Sequence, residues 1–177
     1  RYIISVGTLQ GRKNQLLAVR ALPSLPADVA LVLVGGGDSR YIARIEAEVR
    51  SLGVADRVLH LRDVPFDDLP GLYACAVFSS YTSRYEGFGI PVIESLSVGT
   101  PVIACTGSCL EEAGGDGAIY VDPDDTLAYA EAARSLLEKA YLRDRLAAAG
   151  HRHIKRFTPA AFTSGIIATY NKAILDF

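Results

Sequence analysis

Short apolar runs alternate with longer helical patterns along this chain, and that alternation restricts its fold more than any other feature. Residues 2–6, 29–34, 58–61, 76–79, 102–104 and 118–121 read as strands. Between them the pattern predicts helices reaching to about residue 22, then over 39–52, 66–73 and 90–98. This βαβα order predicts an α/β fold, a Rossmann-like, doubly wound parallel sheet flanked by helices. Such sheets bind ligands at the carboxyl ends of their strands, so the segments directly after each strand are where function is sought. Gly35-Gly36-Gly37 lacks the spacing of a dinucleotide fingerprint and reads as a tight strand-to-helix turn. The last third is helical, over 126–139 and 142–154, with Asp124 and Asp125 as capping candidates. Thr158-Pro159 opens a final helix to about residue 175, with Phe162, Ile166, Ile167, Tyr170 and Ile174 along it. That stripe packs on this chain's own sheet, faces another domain, or does both on different faces. His151, Arg152, His153, Lys155 and Arg156 read as a basic, solvated helix end.

The 177 residues suit one domain with a substantial core. Half are hydrophobic and 21% charged, as in an ordinary soluble protein. A net charge of −2 gives no reason to expect nucleic acid as a partner. No apolar stretch is long enough to span a bilayer. The chain opens on a strand-like run and contains no Met, which reads as a piece cut before a preceding domain, or else as loss of an initiator. Cys75, Cys105 and Cys109 have no paired spacing, so buried free thiols in a reducing compartment are expected, and with them a cytoplasmic location. The three histidines complete no usual zinc pattern, and no Asp-x-Asp pair suits a divalent ion beside phosphates; no metal is expected.

The segment EGFGIPVIE carries the chemistry. Glu86 and Glu94 bracket a turn in which Gly87 and Gly89 permit close backbone approach. Pro91 suits the first position of a helix that Gly99 ends. The free N–H groups at that helix start favour a phosphate, with Glu94 in its first turn and Glu86 just before the turn. A first-turn Glu is commonly only a complement to the helix dipole, and a loop Glu is commonly solvated. The combination, placed after an apolar strand, fits a ligand with a diphosphate and polyhydroxyl rings.

EGFGIPVIE resembles the E-x7-E motif of the retaining, GT-B-fold glycosyltransferases of family GT4. RYIISVGTLQGRKNQLLAVRA, LVLVGGG, DDLPGLYACAVFSS, GTPVIAC and GAIYVDPDD resemble other signatures of that family, in family order and over nearly the whole chain. The resemblance implies a single nucleotide-sugar-binding domain over 1–177, the C-terminal half of a GT-B enzyme whose N-terminal acceptor domain lies outside it. It implies that Glu86 faces the donor sugar, that Glu94 holds the ribose hydroxyls and that Lys13 binds the diphosphate. The backbone of Gly87, Phe88, Gly89 and Ile90 then contacts sugar and phosphates, Gly7 and Thr8 border the site, and Arg62-Asp63-Val64 lies where the base is met. Many members carry Arg where this chain has Thr8; Arg12 is the candidate for the second positive charge.

The resemblance further implies a UDP- or GDP-linked donor as substrate with no cofactor, and retaining, metal-independent transfer of a hexosyl group. The acceptor would be a glycan or a lipid-linked glycan, with the protein peripheral at the inner membrane face. Lys13, Arg12 and Glu86 are the catalytic candidates, and the chain alone is expected to bind donor and transfer little. Other readings are a non-catalytic nucleotide-sugar-binding module, a GT-B-like sugar-nucleotide epimerase and, last, a plain flavodoxin-like structural domain.

Overall fold

The computed structural model describes residues 1–175. All six apolar runs contribute strands: β1 Tyr2–Val6, β2 Ala30–Val34, β3 Val58–Leu61, β4 Phe78–Tyr81, β5 Val102–Cys105 and β6 Ala118–Val121. They form one six-stranded sheet in the order β3-β2-β1-β4-β5-β6, with every pairing parallel. The chain runs outward from β1 to β3 and then returns to place β4 on β1's other side. The order therefore reverses between β1 and β4, where doubly wound sheets open a crevice at their carboxyl edge.

The helices are α1 Leu16–Ala21, α2 Ser39–Ser51, α3 Leu69–Cys75, α4 Ile90–Ser97, α5 Leu110–Gly114, α6 Thr126–Glu138, α7 Ala140–His153 and α8 Pro159–Leu175. Alternation along each strand splits the core between two faces. Ile3, Leu31, Leu33, Phe78 and Ile103 pack with α1, α2 and α6. On the other face Ile4, Val32 and Val34 meet Tyr73 of α3, while Val102 and Ala104 meet Val92 and Leu96 of α4 and Leu110 of α5.

Several boundaries differ from expectation. β4 starts at Phe78, because Ala76 still bonds back to Tyr73 of α3 and the β1 ladder begins at the Ile3–Phe78 pair. Segment 66–73 opens as a 3-10 turn, Phe66–Asp68, and only then becomes α3. α5 is too short for its period to register in the sequence. Asp125 does cap α6, accepting from the Ala128 N–H at 2.8 Å, whereas Asp124 pairs with Arg84. Only Cys105 is a buried thiol; Cys75 is exposed and Cys109 half-buried.

The last two helices sit very differently. α7 lies backbone to backbone against the turn before β6: a Cβ on Gly117 would stand 2.5 Å from the Gly150 Cα. Among the described side chains of α8 no apolar residue is buried, so packing of the stripe on this sheet, one of the two readings, is not what the fold shows; Phe162 remains 70% and Tyr170 66% exposed. The basic residues gather as expected, His151, Arg152 and His153 in α7's last turn and Lys155 and Arg156 just after it.

Candidate functional site

The loops leaving β1 and β4 are tied together at the switch point. The Arg84 N–H donates to the Arg12 carbonyl at 2.8 Å, and Thr82 Oγ1 donates to the Asn14 carbonyl at 3.0 Å. The β1 loop is strapped from its far side as well, by a bridge between Leu9 and Gly37. Gly35-Gly36-Gly37 thus supports the β1 loop as well as turning the chain toward α2.

This backbone frame gathers three charged side chains. Lys13 Nζ lies 2.5 Å and Arg12 Nη1 3.0 Å from Glu86 Oε1. The Glu86 and Lys13 side chains are only 9% and 11% exposed, while Arg12 at 47% reaches into solvent. Arg12 Nη1 also donates to the Tyr85 carbonyl at 3.0 Å. Lys13 Nζ donates to Tyr81 Oη at 2.7 Å and stands 5.0 Å from that ring's centroid. Burial alone pushes the Glu86 carboxyl up, but the Lys13, Ser83 and Arg12 contacts together outweigh it and hold the group below its ordinary value. Burial and the neighbouring Glu86 carboxylate push the Tyr81 phenol up, so it stays protonated.

Beside this cluster α4 begins. Gly89 takes the left-handed conformation, φ 102°, at its N-cap, and a Cβ there would come within 2.8 Å of Leu110 Cδ2. No side chain caps the helix; Pro91 carries no N–H and the Val92 N–H donates to the Gly89 carbonyl at 2.9 Å, which leaves the Ile90 N–H at the helix start to face an anion. Ile90 is the first helical residue, which moves Pro91 to the second position. Glu94 accordingly falls beyond the first turn, where the helix dipole gives it little. Instead it accepts from the Tyr73 hydroxyl at 3.3 Å and borders a cavity of about 210 Å³ with Phe66, Leu69, Pro70 and Val98.

The sequence-derived candidates fall into three groups. Arg12, Lys13 and Glu86 meet directly. Gly87, Phe88, Gly89 and Ile90 form the turn into α4, with Phe88 edge-on to Phe157 at 5.3 Å and Ile90 61% exposed. Gly7 and Thr8 follow β1, the Thr8 carbonyl accepting from Gln15 Nε2 at 3.2 Å. Glu94 stands apart with Tyr73, and Val64 packs against the apolar cluster containing Tyr73, away from the charged group. Sequence reasoning missed Tyr81 and Tyr73. Each reads as a core aromatic, and their polar partners lie 68 and 21 residues away.

Among the described residues no helix is long and apolar enough to cross a membrane. Nor do three or more His, Cys, Asp or Glu side chains gather there as a metal site.

The family model described as Glycosyl transferases group 1 matches residues 1–153. The chain belongs to that family. An O-antigen chain mannosyltransferase B of Escherichia coli is 30% identical over 172 residues, covering 96% of this chain and 45% of the relative. A D-inositol 3-phosphate glycosyltransferase of Acidothermus cellulolyticus is 33% identical over 186 residues, covering 98% and 41%. This group 1 chain thus spans less than half the length of these curated relatives. Among solved structures, sucrose-phosphate synthase of Thermosynechococcus elongatus superposes with a TM-score of 0.86 at 27% identity, over 99% of this chain and 46% of that one. Anabaena HepE, solved with UDP and glucose, gives a TM-score of 0.87 at 22% identity over 97% of this chain and 48% of that one, a likeness of fold. Both superpositions agree with the GT-B fold expected from the sequence.

Proposed function

We propose that this chain is the nucleotide-sugar-binding half of a group 1 glycosyltransferase, completed by a second domain that holds the acceptor. The observation that carries the reading is the Lys13–Glu86–Arg12 cluster beside the uncapped start of α4, at the switch point of the sheet. A diphosphate there meets two cations and the start of a helix, with its dipole and the Ile90 N–H. Glu86 stands where it can orient sugar hydroxyls, and Glu94 where it can accept from a ribose. HepE, solved with UDP and glucose and also with UDP-glucose, supports a UDP-linked donor here; a GDP-linked donor is the other reading.

In the proposed reaction the bond from the anomeric carbon to the diphosphate oxygen breaks, and its electron pair leaves with the diphosphate. Lys13, Arg12 and the Ile90 N–H at the start of α4 stabilise that negative charge, a role suited to preorganised donors in a site of restricted water. Glu86 faces the sugar as it gains positive character. An acceptor hydroxyl of a glycan or lipid-linked glycan bonds to the anomeric carbon and gives its proton to the departing diphosphate oxygen. Retention of configuration and independence from metal belong to this proposal.

Titration of the chain with UDP, GDP and ADP and with uridine, in EDTA, tests it. The expected result is selective binding of one diphosphate that Lys13→Ala weakens far more than it weakens nucleoside binding. Equal losses for both ligands would remove the phosphate role of Lys13.

A further inference from the structure

We propose that Tyr81 is a positioning residue of this site: its hydroxyl fixes the Lys13 ammonium relative to α4, so that the cation stays aimed when Glu86 turns to a ligand. This inference rests on the donor-site reading above.

Lys13 has two polar partners within hydrogen-bonding reach, Glu86 Oε1 at 2.5 Å and Tyr81 Oη at 2.7 Å. The two are anchored very differently. Glu86 stands in the glycine-bordered loop between β4 and α4, among exposed Tyr85, Gly87 and Phe88. Tyr81 is the last residue of β4, a strand buried throughout, and is itself only 4% exposed. Its ring packs in one cluster with Val92 and Leu96 of α4 and Leu110 of α5. The phenol is therefore fixed to the helix whose N-terminus faces the proposed diphosphate.

The chemistry separates the partners as well. A carboxylate neutralises the ammonium it holds; a neutral hydroxyl orients it and leaves its charge free for another anion. A lysine side chain is long and flexible, and without a second anchor it would swing away once Glu86 engages sugar hydroxyls. The Tyr81 ring also offers its face to the cation at 5.0 Å.

Tyr81→Phe keeps the ring and removes only the hydroxyl. Two readouts are compared, binding of UDP and uridine, and exchange of the Lys13 ammonium protons followed by nitrogen-15 NMR of the ligand-free chain. The expected result is a roughly tenfold loss of UDP affinity with uridine affinity unchanged, and clearly faster ammonium exchange. In the Lys13→Ala background the same change should cost nothing further, which a purely structural role for Tyr81 would not produce. Parent-like ammonium exchange in Tyr81→Phe overturns the proposal, whether or not the chain binds nucleotide. Parent-like UDP affinity, where the parent binds, overturns it too. A parent that binds no nucleoside diphosphate would sink the donor reading, and ammonium exchange would then decide the Tyr81 role alone.

Discussion

Glu86 and Glu94 are the same residue type at the two ends of one nine-residue segment, yet the fold treats them as opposites. Glu86 is nearly enclosed and contacts two cations, and its carboxyl is held below the ordinary range. Glu94, a turn inside α4, has a single long bond from a tyrosine hydroxyl and borders an apolar cavity. The difference comes from what the topology brings to each. β1 delivers Lys13 and Arg12 to Glu86 through the β1–β4 pairing, whereas α3 delivers only Tyr73 to Glu94. Under the donor reading proposed above, the end that carries cations suits a diphosphate and the end without them suits hydroxyls.

The largest effect is expected from Lys13→Ala, which should lower UDP affinity about 100-fold and uridine affinity hardly at all, as calorimetric titration can show. Next is Glu94→Ala, with a loss of about tenfold for UDP and uridine alike, since both carry a ribose. A loss confined to UDP would erase the distinction between the two ends. A smaller, pH-dependent effect belongs to Glu86. Its folded value lies below the ordinary 4.5, so its contribution to stability is present above that pH and fades as pH falls through the folded value. The stability gap between the parent and Glu86→Gln should therefore be wide at neutral pH and narrow as pH falls below 4.5, measured by urea unfolding. A gap that stays constant would mean that the ion pairs contribute nothing. The smallest change is Tyr73→Phe, which should cost less than about threefold in uridine affinity, because a 3.3 Å bond is weak. A larger loss there would make Tyr73 a ligand contact and bring the two ends closer in kind.

Much of this was legible in the sequence because strands and phosphate-type turns are local. The apolar runs announced all six strands, and the glycines around Phe88 marked the turn into α4. Helix ends were harder. Pro91 as the first helical position puts Glu94 in the first turn; the helix instead starts at Ile90, and that shift of one residue carries Glu94 out of the dipole's reach. Tyr81 and Tyr73 were invisible for a different reason. A tyrosine closing a buried strand looks like any core aromatic, and its pairing with Lys13 arises from strand order, which no window along the chain displays. The exposure of α8 was open in the sequence too, since its apolar residues say only that something could cover them.

The adjacency of β1 and β4 also determines when the site can exist during folding. The β1–β2 pair and then β3 can assemble from neighbouring chain, but Ile3 meets Phe78 only after the longest of these chain closures. Loop-closure entropy delays such contacts, so the Lys13–Glu86 pair belongs to the late steps of folding. A ligand that binds this pair can recognise only the completed sheet, and its binding energy is added wholly to the folded state. Nucleotide present during refolding would leave the early steps untouched and slow the reverse reaction, acting as a latch on the finished domain.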